Sequence, residues 1–198
     1  MNKILVIGTG SIAQRHLRNL FKLKQKNVYV FSKSKMQKKK LTKVFPKINF
    51  AEKINFKNFT HLIFANSSTK RFKMLIKNLN LVKNKVYYEK PLACDVKQLE
   101  IIKKKRFKYF MAGFQLRAYP LLDILKKIIK KNIKKLKYCN FSVGHDLRQW
   151  RSNYDVSKIY YADSLKYSGV LWELCHEIDI IYYLFGLPKS VYARNLKL

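Results

Sequence analysis

Short apolar runs of β character alternate with amphipathic stretches through the first half of the chain. Ile4-Leu5-Val6-Ile7 is continuously apolar, the pattern of a strand covered on both faces. Over residues 12–23 the positions Ile12, His16, Leu17, Leu20, Phe21 and Leu23 fall on one helical stripe, which predicts an amphipathic helix. Val28-Tyr29-Val30-Phe31 reads as a second strand, residues 35–44 as a basic helix, and Ile48-Asn49-Phe50 as a weak third strand. His61-Leu62-Ile63-Phe64-Ala65 is a stronger fourth, with a helix expected over 69–79. Val86-Tyr87-Tyr88 is the fifth, followed by a helix over 95–104, and Tyr109-Phe110-Met111-Ala112 is the sixth. This alternation predicts an α/β fold, a Rossmann-type doubly wound parallel sheet with right-handed crossovers.

The rhythm changes after Gly113. A basic amphipathic helix is expected over 119–131, then a β-type run over 136–143, then a polar, aromatic loop over 145–167. One apolar helix is expected over 169–185, stopped by Gly186-Leu187-Pro188, and a further strand over 190–193. The expected division is therefore a dinucleotide-binding domain over 1–117 and, over 118–198, the start of an α+β substrate and oligomerisation domain.

Composition narrows the partners. The 198 residues are 48% hydrophobic, enough for a core, and no apolar run approaches the roughly 18 residues of a membrane span. The apolar start runs directly into a Gly-rich turn without a cleavage site, so it reads as a strand rather than a signal peptide. Three cysteines without a CxxC pair argue against a disulfide framework or a zinc site, and no metal is expected. A reducing cytoplasm is the matching compartment. The formal charge of +32 is nearly all lysine and comes with abundant Asn, Ile, Phe and Tyr, residues that A/T-rich codons encode. Runs such as Lys38-Lys39-Lys40 and Lys103-Lys104-Lys105 lie on expected helices, where a solvated face is the ordinary outcome. No specific nucleic-acid partner is expected, only non-specific polyanion binding at low salt.

Candidate chemistry begins at Gly8-Thr9-Gly10-Ser11-Ile12-Ala13, a GxGxxA pattern between a strand and a helix. Gly8 permits the tight turn, Gly10 lets backbone approach a pyrophosphate, and Ala13 allows close helix–strand packing. The second strand ends in Ser32-Lys33-Ser34-Lys35. A site for NAD places an acidic residue near here to hold the ribose hydroxyls; a hydroxyl and two cations, Ser32, Lys33 and Lys35, favour the 2′-phosphate of NADP over NAD. Lysine-rich composition alone also accounts for both lysines. His16 reads as a packing or hydrogen-bonding residue near the loop, and His61 as structural.

The GxGxxA loop, the strand end Ala65-Asn66-Ser67-Ser68, Glu89-Lys90-Pro91-Leu92-Ala93, Gly113-Phe114-Gln115-Leu116-Arg117, Trp150-Arg151, and Ser168-Gly169-Val170-Leu171-Trp172-Glu173-Leu174-Cys175-His176-Glu177-Ile178-Asp179 occur in an order that resembles the Gfo/Idh/MocA oxidoreductases. The resemblance implies NAD(P)-dependent hydride transfer on the CH–OH groups of sugars, sugar-nucleotides or cyclitols. It places Asn66, Ser67, Glu89 and Lys90 at the cofactor and gives Lys90 contact with both nicotinamide and substrate. A later acid/His pair handles the proton. That pair maps onto Glu173 and His176, although the family has Asp four residues before His. In one helix, i and i+3 share a face, so His176 is expected to approach Glu173; bracing an apolar helix is the competing role. Trp150 and Arg151 suit stacking on a sugar and bonding an anionic group, or fixing their loop. The resemblance also implies a longer second domain, an open sheet that makes the dimer interface, so that domain is expected to be partial and a homo-oligomer to require its completion. The alternative function is a catalytically inactive dinucleotide-binding or subunit-interaction protein.

Overall fold

In a computed structural model, residues 2–77, 84–105, 107–144, 149, 170–173 and 175–194 are described. The chain divides into two compact units, Met1–Gly113 and Phe114–Leu198. The turn 114–117 thus groups with the second unit.

The first unit is one six-stranded sheet in the order β3-β2-β1-β4-β5-β6. Its strands are β1 (Ile4–Ile7), β2 (Val28–Phe31), β3 (Asn49–Phe50), β4 (His61–Phe64), β5 (Lys85–Glu89) and β6 (Tyr109–Gly113), and every pair is parallel. The helices are α1 (Ser11–Lys22), α2 (Lys35–Val44), α3 (Ser68–Ile76) and α4 (Val96–Lys103). Alternation along each strand divides the core in two. Val6, Val28 and Val30 pack on Ala13, Leu17 and Leu41 of α1 and α2. On the other side Leu5, Leu62, Phe64, Val86 and Tyr88 pack with Phe72 and Leu75 of α3 and Ile102 of α4. All four residues of β1 are buried, as a central strand requires.

The helix starts have local causes. Ser34 caps α2, its hydroxyl accepting the Gln37 N–H at 3.3 Å. Asp95 caps α4, accepting the Gln98 N–H at 2.8 Å while Gln98 Oε1 accepts from the Cys94 N–H at 3.0 Å, a reciprocal capping arrangement. No helix among the described residues is long and apolar enough to cross a membrane.

In the second unit a 3₁₀ turn (Gln115–Ala118) leads into α5 (Pro120–Asn132) and a second 3₁₀ turn (Ile133–Lys135), and among the described residues two shorter α-helices follow, α6 (Val170–Glu173) and α7 (His176–Phe185). Two expectations need correction. Residues 136–143 and 190–193 lie in no strand among the described residues; β-type sequence becomes a strand only where another strand takes its backbone hydrogen bonds. The single helix expected over 169–185 is interrupted at Cys175, whose φ of −76° and ψ of 4° lie outside the helical basin. Glu177 and Asp179 in the first turn of α7 favour a fresh helix start there, and the Cys175 carbonyl accepts the Asp179 N–H at 3.0 Å.

Candidate dinucleotide and lysine site

Strand register builds the site. Ile7 pairs with both Phe31 and Phe64, Phe64 with Tyr88, and Glu89 with Gly113. The next residues, Gly8, Ser32 and Ala65, therefore stand level with Glu89 and Gly113 along the carboxyl edge of the sheet. Because the order runs outward in both directions from β1 and β4, the chain reverses there, which is where open α/β sheets form their ligand crevice.

Gly8 has a φ of +124°, and a Cβ on it would lie 2.7 Å from the Ala65 carbonyl oxygen. Only glycine suits both conditions. A Cβ on Gly10 would meet no atom within 4 Å, so the loop leaves open space above it. Gly10 is also the N-cap of α1, where no side chain caps the helix and no acidic residue occupies the first turn. Thr9 accepts a bond on its carbonyl from Gln14 Nε2 at 3.1 Å. Ser11 is exposed, Ile12 half-buried and Ala13 fully buried against the sheet. An uncapped helix start facing a gap presents donors and a positive dipole end, which fits the pyrophosphate of a dinucleotide.

At the end of β2, Ser32 is half-buried and its hydroxyl accepts the Ser34 N–H at 3.3 Å; Lys33 and Lys35 are exposed. Beyond β4, Asn66 Oδ1 is buried and no hydrogen bond reaches it, while its Nδ2 lies 3.3 Å from Met74 Sδ. A buried acceptor without a donor is costly unless something supplies one. Ser67 occupies the N-cap of α3 without a side-chain cap bond.

Glu89 is only 6% exposed, and its Oε1 lies 2.6 Å from His16 Nε2. Lys90 follows, half-buried, with a cis peptide to Pro91 and its carbonyl accepting from Arg71 Nη2 at 3.2 Å. Arg71 is itself buried and lies over the Tyr88 ring at 4.9 Å. Burial and the Glu89 charge push the Tyr87 phenol up to about 12. An open cleft of about 360 Å³ runs between α1 and β4, β5 and β6, lined by His16, Leu20, Ile63, Lys85, Tyr87 and Met111 among others. It is not the crevice at the carboxyl edge.

In the second unit, His176 opens α7 and sets its ring edge-on to Phe114, with 6.4 Å between centroids. Glu173 ends α6. Glu177 has a buried Oε2 that no hydrogen bond reaches. A bidentate ion pair here is one that sequence reasoning passed over. Arg117 Nε and Nη2 donate to the two oxygens of buried Asp179 at 2.8 and 2.6 Å. The guanidinium also lies over Phe114, Tyr182 and Tyr183. The bonds to Asp179 raise the Arg117 pKa. Trp150 and Arg151 lie outside the described residues. His16, Arg71 and Asp179 were each in view in the sequence, but their partners are far away along the chain and no spacing rule connects them.

A model of the oxidoreductase family with an NAD-binding Rossmann fold, GFO_IDH_MocA, matches residues 2–108. The chain belongs to that family. Among solved structures, the WlbA (WbpB) dehydrogenase from Thermus thermophilus, in complex with NAD and UDP-GlcNAcA, superposes with a TM-score of 0.66 at 20% identity over 98% of this chain. The WlbA dehydrogenase from Chromobacterium violaceum, with NADH and UDP-GlcNAcA, gives 0.69 at 16% identity over 93%. A putative NADPH-dependent oxidoreductase from Desulfitobacterium hafniense gives 0.64 at 19% over 94%. This chain spans 67%, 55% and 56% of those three chains respectively. At such identities the likeness establishes the fold. No curated protein matches the sequence.

Proposed function

We propose that this family member is an NAD(P)-dependent oxidoreductase acting on a CH–OH group of a sugar, sugar-nucleotide or cyclitol derivative. The observation that carries the reading is the carboxyl edge of the sheet, where Gly8, Ala65 and Glu89 share one row and the open space over Gly10, the orphaned Asn66 Oδ1 and Lys90 follow each of them within two residues. A bound nicotinamide supplies or accepts the hydride. Gly8 to Ala13 and Ser67 would hold the dinucleotide, with the buried Asn66 Oδ1 available as an acceptor for it. Lys90 holds the reacting substrate oxygen by hydrogen bonding and charge. His176, with Glu173, Trp150 and Arg151, forms the substrate and proton-handling set of the second unit. The bound sugar-nucleotides of the WlbA structures support the substrate class. Cys94, Cys139 and Cys175, with no CxxC pair among them, favour a reducing, cytoplasmic setting.

For the cofactor we infer a preference for NADP, from exposed Lys33 and Lys35 and the absence of a carboxylate at 32–35. Titration of NADPH and NADH by fluorescence tests both claims, and a protein that saturates with neither is not a dinucleotide enzyme. Ser32→Asp with Lys33→Ala should move the NADH/NADPH affinity ratio toward NADH by about tenfold, on the order of 1.4 kcal/mol. An unchanged ratio would make the lysines compositional. A second reading, an inactive dinucleotide-binding or interaction protein, draws on the break at Cys175, which puts Glu173 and His176 in different helices. Substrate-dependent turnover that disappears in Lys90→Ala would exclude it.

A further inference from the structure

We propose that His16 is a positioning residue that ties α1 to the Glu89-Lys90 corner and thereby sets where Lys90 presents its side chain. The inference rests on the reading of Lys90 as a cofactor- and substrate-contacting residue. His16 belongs to the helix that opens at the dinucleotide loop, and 73 residues separate it from Glu89. Its Nε2 lies 2.6 Å from Glu89 Oε1, with the ring nitrogen placed as the donor to the carboxyl oxygen. The ring stands edge-on to Tyr87, 5.0 Å between centroids.

The carboxylate is confined from the other side as well. A Cβ on Gly113 would lie 3.0 Å from Glu89 Oε2, 3.0 Å from the Tyr87 hydroxyl and 3.1 Å from Glu89 Cα. The glycine thus leaves just enough room for the pair. The next residue, Lys90, has its carbonyl bonded to Arg71 of α3 at 3.2 Å, and α3 packs on the opposite face of the sheet from α1. Helices on both faces therefore grip the corner. A buried polar pair is a poor way to gain stability, because well-packed apolar residues serve as well or better. What this pair adds is direction, a fixed orientation of the peptide unit leading into Lys90, communicated from the helix that the dinucleotide itself would seat.

The test uses the full chain and NADH. Acetylation of Lys90 by acetic anhydride is read by mass spectrometry with and without saturating NADH, beside the NADH Kd from fluorescence. In the parent, NADH should slow acetylation of Lys90 by roughly fivefold or more. His16→Leu keeps the packing on Tyr87 but removes the donor. It should hold the Kd within about threefold while protection falls below about twofold, and His16→Gln, which restores an N–H, should recover it. Should circular dichroism show His16→Leu unfolded, His16→Leu with Glu89→Gln, which leaves no carboxyl group without its donor, is acetylated at NADH concentrations that its own measured Kd makes saturating and should show the same loss of protection. Protection that survives removal of the imidazole overturns the proposal. So does a His16→Leu Kd weakened by more than about tenfold, which would make His16 a binding residue. A parent that binds NADH without protecting Lys90 overturns the reading of Lys90 itself, and the inference with it.

Discussion

At the scale of single residues, the two loop glycines separate folding from ligand binding. Gly8→Ala forces a Cβ to within 2.7 Å of a backbone oxygen at a φ of +124°, so it should destabilise the protein by about 1–3 kcal/mol. Gly10→Ala meets no protein atom within 4 Å and should leave stability within about 0.5 kcal/mol. If the loop seats the pyrophosphate as proposed, its added methyl would obstruct that approach, and NADH affinity should fall by about tenfold or more. Urea unfolding and NADH fluorescence on both variants check this; equal effects on stability would contradict it. Tyr87 offers a pH test. Its phenol is raised from the ordinary 10.0 to about 12 by burial and by Glu89, so the folded state holds the proton more tightly than the unfolded chain. That contribution is fully present below pH 10 and is lost as pH rises toward 12. Urea midpoints between pH 9 and about pH 11.5 should fall less steeply in Tyr87→Phe than in the parent.

At the scale of elements, the start of α4 shows what a local signal conveys. Asp95 accepts the Gln98 N–H and Gln98 accepts the Cys94 N–H, so the helix start is secured by partners within four residues along the chain. The start of α7 is different. It depends on Asp179 being buried and bonded by Arg117 from a turn 62 residues earlier. Removing the guanidinium leaves that carboxylate buried without its donors. Arg117→Leu should therefore destabilise the second unit by about 2 kcal/mol, discounted for the partial exposure of the arginine. Urea unfolding together with limited proteolysis near residue 175 would register it, and unchanged cleavage would refute it. In α5 the opposite case appears. Its helical pattern was plain in the sequence, yet Leu121, Ile124, Leu125 and Ile128 are 72%, 53%, 40% and 54% exposed, so periodicity gave the helix without saying what it packs against.

For the whole molecule, the charge of +32 makes a prediction about salt. If the lysines form a solvated surface rather than a groove, affinity for a random duplex should fall steeply and linearly in log–log salt plots. It should be negligible by about 0.15 M salt, as a filter-binding titration would show. Binding that persists there with base preference would require a specific nucleic-acid role.

The sequence alone determined the six strands, the four helices between them and the dinucleotide loop. These follow from apolar runs, helical stripes and a glycine pattern that act within about a dozen residues. It also placed Lys90 at a strand end, because β5 and the Glu89-Lys90-Pro91 corner adjoin in the chain. The tertiary structure decided what depends on partners distant in sequence. His16 reaches Glu89, Arg71 reaches Lys90, and Arg117 reaches Asp179 only once the chain path brings them together. The same holds for residues 136–143, whose β-type composition becomes a ladder only if another strand lies alongside. The physical reason is one of range: backbone propensity and amphipathic period are fixed by near neighbours, whereas hydrogen-bond and charge partners are chosen by topology.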